Sequence, residues 1–511
     1  MDGGVHGLKG PFYLESFRQK LSAQHGYWQS IPGESILVPT NCYPLCQGRT
    51  KMTVLIETPI NWLSERDYIT NVVLREFLGL SYQRLSSDRT DISISIQGLE
   101  GEIRLPDVFF SQPYEHWLKK ESLPAQPLEL WDSSELEVPV NLIDRFVPVV
   151  FGESIPKAKK RRIIPLDIFG TAFFMLSRYE EVVLSERDIH DRFSAKSSLA
   201  FQSGFLNRPI VDEYIEVLWM AMKRLWPRLE RRSRQPRTMV SCDVDQPYMQ
   251  NVKSFRKTMR NMAGDILKRK SAITAVHTGL NKLCSSLGCY RFDPMNTFDW
   301  IMDVNERAGN RVAFYFFTDH LVAEMGGYYS IHEPRIRALM RRIHTRGHEI
   351  GLHSNYVAYL DGAQCEREAH RLRQALDEEG IIQTEIGNRQ HYLRWRTPDT
   401  ARNLEKSGIN YDTTLGYADH PGFRCGTCLP YAMYDLNERK SLHLRQYPLL
   451  VMECSVIDKG YLGMGCTDAA LDLMHSLKKR ALQLGGNFTL LWHNSRLETR
   501  ETRRMYRELI A

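Results

Sequence analysis

Asp243 and Asp245 stand two residues apart at the end of the short apolar run 239–242, and Pro247 closes the segment. Side chains at i and i+2 of a strand point the same way, so the two carboxylates can converge on one metal-sized site. Side by side they repel unless a cation or a shared proton relieves them. The pair is therefore a candidate for metal binding and acid–base work, although an Asp-x-Asp at a strand end also reads as a simple turn. Three further polar clusters follow apolar or strand-like runs: His353 with Ser354 after 349–352, the stretch 391–396, and His493 with Asn494 after 490–492. A single histidine at a strand end is usually structural. Four such clusters on successive strands point to one shared site, because parallel α/β architectures gather ligands where strands end and loops begin.

The elements that must position these residues alternate along the C-terminal half. Apolar patterning predicts strands at 240–243, 311–317, 349–352, 389–395, 410–413 and 488–492, with helices at 297–308, 334–346, 365–379, 400–406 and 469–484. This alternation favours a parallel α/β sheet or barrel. Upstream, strand-like runs (35–39, 51–57 and 91–97) mix with a helical stretch at 68–79, and two further helices are expected at 166–183 and 211–226. The basic, polar stretch 231–237 reads as a linker. The expected organisation is an α+β N-terminal domain at 1–235 followed by an α/β domain at 236–511.

The 511 residues suffice for two domains with sizeable cores, and 42% hydrophobic with 25% charged residues is a globular composition. No apolar run reaches the ~20 residues of a bilayer span, and the N-terminal residues lack the features of a secretory signal. A cytoplasmic location is expected. The formal net charge of +6 implies no nucleic-acid partner. One local excess, with Lys253, Arg256, Lys257, Arg260, Lys268, Arg269 and Lys270 against Asp265, suggests peripheral membrane contact through 253–270, or else a solvated helical face. Ten cysteines at irregular spacing are expected to be reduced thiols, and the CxxC formed by Cys425 and Cys428 has no second pair to complete a zinc site.

From about residue 238 to 495 the pattern resembles the polysaccharide deacetylase family, the NodB-homology domain of carbohydrate esterase family 4. Ser241-Cys242-Asp243-Val244-Asp245 resembles its first motif, Phe314-Tyr315-Phe316-Phe317 the aromatic strand that follows, and Gly347-His348-Glu349-Ile350-Gly351-Leu352-His353-Ser354 the second motif. Arg396-Thr397-Pro398 is a loose counterpart of the third, and Leu490-Leu491-Trp492-His493 resembles the last. The resemblance implies a distorted (β/α) barrel and a metal-dependent hydrolase that removes an N-acetyl or similar N-acyl group from a sugar or glycan precursor. It implies Asp245 and His353 as ligands of a divalent ion, with zinc expected, Asp243 as general base and His493 as general acid. Upstream, 167–181 together with His190-Asp191-Arg192-Phe193 resembles an uncharacterised N-terminal domain found beside deacetylase-like domains in bacterial surface-polysaccharide gene clusters.

One position departs from the family. Its second motif supplies another histidine one helical turn after the first, and Val357 stands there. His391 is the expected substitute ligand, ahead of Asn355 and His420. Alternation along a regular strand would put His391 and Arg396 on opposite faces, so either a bulge intervenes or the strand ends before Arg396. Sugar-contacting side chains are expected among Tyr392, Arg394, Arg396, Asp412 and Arg424. The alternatives are a hydrolase of another C–N bond and a carbohydrate-binding protein whose site has degenerated.

Overall fold

A computed structural model of the chain describes residues 52–152, 164–249, 289–318 and 329–511, with scattered positions between 259 and 284. The strand expected at 35–39 and most of the basic segment 253–270 lie outside the described residues. Residues 51–511 pack as one unit.

In the N-terminal half, β1 (Thr53–Pro59) lies between β2 (Ser81–Ser87) and β3 (Asp91–Ile96), and β4 (Ile103–Pro106) extends the sheet. β5 (Glu129–Asp132) and β6 (Phe146–Val149) form a separate hairpin-like pair. The helix expected at 68–79 starts earlier, at Leu63–Thr70, and runs on into a wider helical turn at Asn71–Phe77. The stretch expected as one helix over 166–183 is two, Ile168–Leu176 and Tyr179–Val183, because Arg178 adopts a left-handed φ of 56° between them. The first of these is buried on every side, and the Asp167 carboxylate caps it by accepting from the Gly170 amide.

The C-terminal half is built on nine strands: β7 (Thr238–Val244), β8 (Val312–Phe316), β9 (Glu349–Ser354), β10 (Gly387–Gln390), β11 (Tyr411–Asp412), β12 (Tyr431–Asp435), β13 (Lys440–Gln446), β14 (Val451–Met452) and β15 (Phe488–Leu491). Their spatial order is β12-β13-β11-β10-β9-β8-β7-β15-β14, parallel throughout except for the β12–β13 pair. Helices Phe298–Arg307, Pro334–Thr345, Gly362–Glu378 and Asp468–Gln483 fall within a few residues of their expected places.

The sheet curls. β13 and β14 are seven strand steps apart, which in a flat sheet is roughly 34 Å. Yet Gln446 ends one and Val451 begins the other, a reach of at most about 17 Å. The connecting residues close the gap without a ladder. The Tyr447 amide donates to Asp412 O (2.8 Å), the Leu449 amide to Leu415 O (3.1 Å), and the Leu450 amide to Thr489 Oγ1 (2.9 Å) on the opposite side. The result is a barrel-like curl rather than a closed barrel. Its interior takes large rings over glycines: a Cβ on Gly351 would stand 2.4 Å from the Tyr315 ring, and one on Gly387 would stand 2.2 Å from the Tyr411 ring.

Residues from both sides of the 231–237 stretch share one apolar core. Tyr68, Phe173 and Tyr434 pack with ring centroids 4.8–6.0 Å apart. Polar ties cross as well: Tyr68 donates to Ala432 O (2.8 Å), Arg439 grips Glu65 through two bonds (2.7 and 2.9 Å), and the Thr427 hydroxyl donates to Asp212 (2.6 Å). Among the described residues no helix is long and apolar enough to cross a membrane.

Candidate functional site

Four of the expected residues meet at the C-terminal ends of the strands. β7 delivers Asp243 as its penultimate residue and Asp245 just past its end, β9 delivers His353, and His493 follows β15 by two residues. The fifth, His391, comes next after β10. They line an open pocket of about 740 Å³, which Tyr392, Tyr461 and Arg192 also border.

The strand expected at 389–395 ends at Gln390. Tyr392 and Leu393 follow with left-handed φ values of 61° and 55°, which breaks the alternation. That kink settles the conflict between His391 and Arg396: His391 faces the pocket, while Arg394 and Arg396 leave in other directions.

Asp245, His353 and His391 form the group best shaped for an ion. Asp245 Oδ1 lies 3.1 Å from His353 Nε2 and 3.9 Å from His391 Nε2. Two donors on one tetrahedral ion at about 2.0–2.1 Å stand roughly 3.3 Å apart, so these spacings bracket a metal's requirement. His353 is already oriented for it. Its Nδ1 donates to the Arg389 carbonyl (2.8 Å), so Nε2 is the nitrogen that faces Asp245, donating to it when the ring is charged and free to bind an ion once that proton leaves. The ring of Phe317 packs at 4.4 Å from that of His353 and 4.8 Å from that of His391. Burial pulls the His391 imidazole down to about 3, against the raising effect of Asp245, so this nitrogen base is neutral at ordinary pH. Burial would raise Asp245, but the hydrogen bond with His353 and the neighbouring imidazoles outweigh it and hold the carboxyl well below the usual range. Val357 is 37% exposed and outside the group, as are Asn355 and His420.

A second trio, Glu453, Cys454 and His493, is also close enough to be considered for an ion. Here Glu453 Oε1 lies 2.6 Å from His493 Nδ1, hydrogen-bonding distance and too close for two ligands of one ion. The same oxygen accepts from the His493 amide (3.0 Å). Burial would lower His493, but Glu453, followed by Cys454, outweighs it and holds the imidazole well above its ordinary value. Its Nε2 points the other way, 3.7 Å from Asp245 Oδ2.

Asp243 is 3% exposed and lies 3.8 Å from His353. Its Oδ1 has no hydrogen-bond partner, and neither has Arg389 Nη1, which stands 3.9 Å away. Arg389 is fixed by bonds to Thr413 Oγ1 and Ser241 Oγ, both 3.0 Å. The fixed arginine beside Asp243 is therefore Arg389, in β10, rather than Arg396 of the expected third motif. Arg389, beside Asp243, and Glu453, bonded to His493, are the two neighbours of the site that sequence reasoning missed.

Of the five expected sugar contacts, only Tyr392 borders the pocket. Arg394 is 8% exposed, stacked between the rings of Tyr356 and Tyr359 at 3.9 and 3.8 Å. Arg396 pairs with Asp191. Asp412 is buried and accepts from Asn388 Nδ2 (2.9 Å), the Thr414 hydroxyl (2.7 Å) and the Thr414 amide (2.6 Å), so it braces the ends of β10 and β11. Arg424 is buried against Glu181 of the N-terminal half. Side-chain type suited all four to a ligand; burial engages Arg394, Asp412 and Arg424 within the protein, and the ion pair with Asp191 engages Arg396.

A family model described as a family of unknown function, DUF7033, matches residues 54–227. No curated protein matches the chain. Among solved structures, a candidate polysaccharide deacetylase from Mycobacterium smegmatis is 18% identical over 55% of this chain and 84% of its own, with a TM-score of 0.35. The Puue allantoinase is 13% identical over 54% and 83%, with a TM-score of 0.32. A candidate polysaccharide deacetylase from Pseudomonas aeruginosa PAO1 is 13% identical over 54% and 84%, also at 0.32. Likenesses this loose carry no weight for function, which has to be argued from the site.

Proposed function

We propose that the protein is a metal-dependent hydrolase that removes an N-acetyl or similar N-acyl group from a sugar, within bacterial surface-polysaccharide synthesis. The observation that carries the chemistry is the meeting of an ion-sized group (Asp245, His353, His391) with a buried carboxylate, Asp243, and an imidazole, His493, in one open pocket. The sugar and the pathway rest on the sequence motifs at 238–495 and on the kind of N-terminal domain beside them.

Asp245, His353 and His391 would hold a divalent ion, and the mixed imidazole and carboxylate set suits zinc. When bound, such an ion polarises a carbonyl and brings the pKa of a coordinated water to about 7. Asp243 Oδ1, with its acceptor capacity unspent, takes the proton from the attacking water. Arg389 places a fixed positive charge 3.9 Å from that carboxylate. His493 carries a proton on Nε2 to the leaving nitrogen, and Glu453, accepting from Nδ1, keeps the ring charged and oriented until transfer. Tyr392 and Tyr461 border the pocket and are the aromatic side chains available there to a sugar.

The purified chain should retain about one divalent ion, which Asp245→Ala or His353→Ala should lose. Asp243→Asn should keep the ion yet release acetate from N-acetylated sugars about 10²–10⁴-fold more slowly, the usual worth of a general base. Wild type that stays metal-free after reconstitution would overturn the reading. Binding of acetylated sugars without turnover would make the protein a carbohydrate-binding module.

A further inference from the structure

The loop that carries His391 is held in an unfavourable shape. Tyr392 and Leu393 are consecutive non-glycine residues with φ of 61° and 55°, and such residues persist in the left-handed region only when their surroundings fix them. Much of what fixes them comes from a single turn in the N-terminal half. Arg192 Nη1 donates to the Tyr392 carbonyl (3.0 Å). Asp191 accepts two bonds from Arg396 Nη2 (2.8 and 2.6 Å) and one from the Tyr359 hydroxyl (2.5 Å). The His190 carbonyl accepts from Arg394 Nε (2.7 Å), and its ring lies 4.7 Å from that of Tyr392. Three successive residues thus each grip the 391–396 loop.

The turn is itself braced. Asp188 accepts from the amides of His190 and Arg192 (both 2.9 Å) and from Arg192 Nε (2.7 Å). It lies inside 54–227, the stretch that matches the family of unknown function. We propose that the 188–192 turn is a clamp whose task is to hold His391 in its ion-binding position, so that the N-terminal half supplies geometry to a site whose three candidate ligands stand in the C-terminal half. Asp191 and Arg192 are then positioning residues. The inference rests on the reading of Asp245, His353 and His391 as an ion site.

The test is calorimetric titration of the full, metal-stripped chain with zinc and with cobalt. Asp191→Asn keeps side-chain size and tolerates the left-handed φ of 57° at that position, but weakens the grip on Arg396. Arg192→Gln is the milder second variant and removes the bond to Tyr392 O. Either should weaken metal affinity ten- to a hundredfold, the usual effect of removing a partner that orients a ligand. Adding Tyr392→Gly to Asp191→Asn should restore most of the affinity, because glycine adopts a positive φ without penalty. A general loss of structure would not be rescued this way. Unchanged affinity in both clamp variants while His391→Ala weakens binding overturns the clamp, and so does a failure of Tyr392→Gly to rescue. Unchanged affinity in His391→Ala overturns the ion site itself, and the clamp with it.

Discussion

Arg424→Met separates a structural role for this arginine from a substrate-binding one. Arg424 donates to both oxygens of Glu181 (2.9 and 2.8 Å), and Arg178 donates to the same carboxylate (2.9 Å) and to Glu180 (2.9 Å). Two guanidinium groups and two carboxylates are thus buried as a neutral cluster, and methionine leaves it one cation short. Burial would raise Glu181, but Arg424 and Arg178 outweigh it and draw its pKa from 4.5 to about 2. At 1.36 kcal/mol per pKa unit, the two arginines together contribute about 3 kcal/mol at neutral pH, of which Arg424, with two of the three bonds to Glu181, is the larger part. Breaking a buried pair from one side usually costs a similar 3–5 kcal/mol. Because the folded value is depressed, this stability is present above the unfolded pKa and drains away as pH falls from about 4.5 toward 2. Urea unfolding should therefore show Arg424→Met about 3 kcal/mol less stable than wild type at pH 7, with the gap roughly halved by pH 3. A deficit under about 1 kcal/mol at pH 7, or one that does not change with pH, would refute the reasoning. A raised KM at unaltered stability would put the guanidinium on the substrate after all.

Glu453→Gln should leave a hydrogen-bond acceptor for His493 Nδ1 while removing its counter-charge; NMR titration of the metal-free protein should show His493 losing its proton at lower pH than in wild type, and an unmoved midpoint would remove Glu453 from the mechanism. The basic limb of the rate profile should move the same way, because His493 must be charged to give its proton. Gly351→Ala should cost about 1–3 kcal/mol by forcing a methyl against the Tyr315 ring, read from the denaturation midpoint; a neutral effect would mean that the barrel interior yields easily. His391→Ala should lower metal affinity at least tenfold by calorimetry while leaving secondary structure intact by circular dichroism.

The residues that end apolar strands were legible from the sequence, because such a strand with a polar group at its C-terminal edge has few places to go in a parallel sheet. Asp243, Asp245, His353 and His493 were found that way, and they do share one pocket. Glu453 obeys the same rule at the end of β14, but that strand is only two residues long and too short for its pattern to register. Its partner His493 is 40 residues further on, so spacing gave no hint. The kink after Gln390 was invisible because neither Tyr392 nor Leu393 favours a positive φ; tertiary contacts impose it. Arg389 sits among the buried strand residues 387–390, where a fully buried guanidinium was the one available cue. Arg394, Arg396 and Arg424 lie off the pocket lining for a common reason: side-chain type suggests a ligand, while only packing reveals whether the protein has already used the charge. The curl of the sheet, too, depends on a connection of four residues whose importance appears only once strand order is known.

The ties between the halves bear on how such a chain is inherited. Tyr68, Glu65 and Asp212 bond to Ala432, Arg439 and Thr427, and Glu181 shares its buried charge with Arg424. A gene rearrangement that joined this C-terminal half to a foreign N-terminal partner would strand buried charges and bare a shared core. Modules joined by a free tether can be exchanged between genomes one at a time. Here the two halves must travel together, and a substitution on one face constrains what the facing surface can accept.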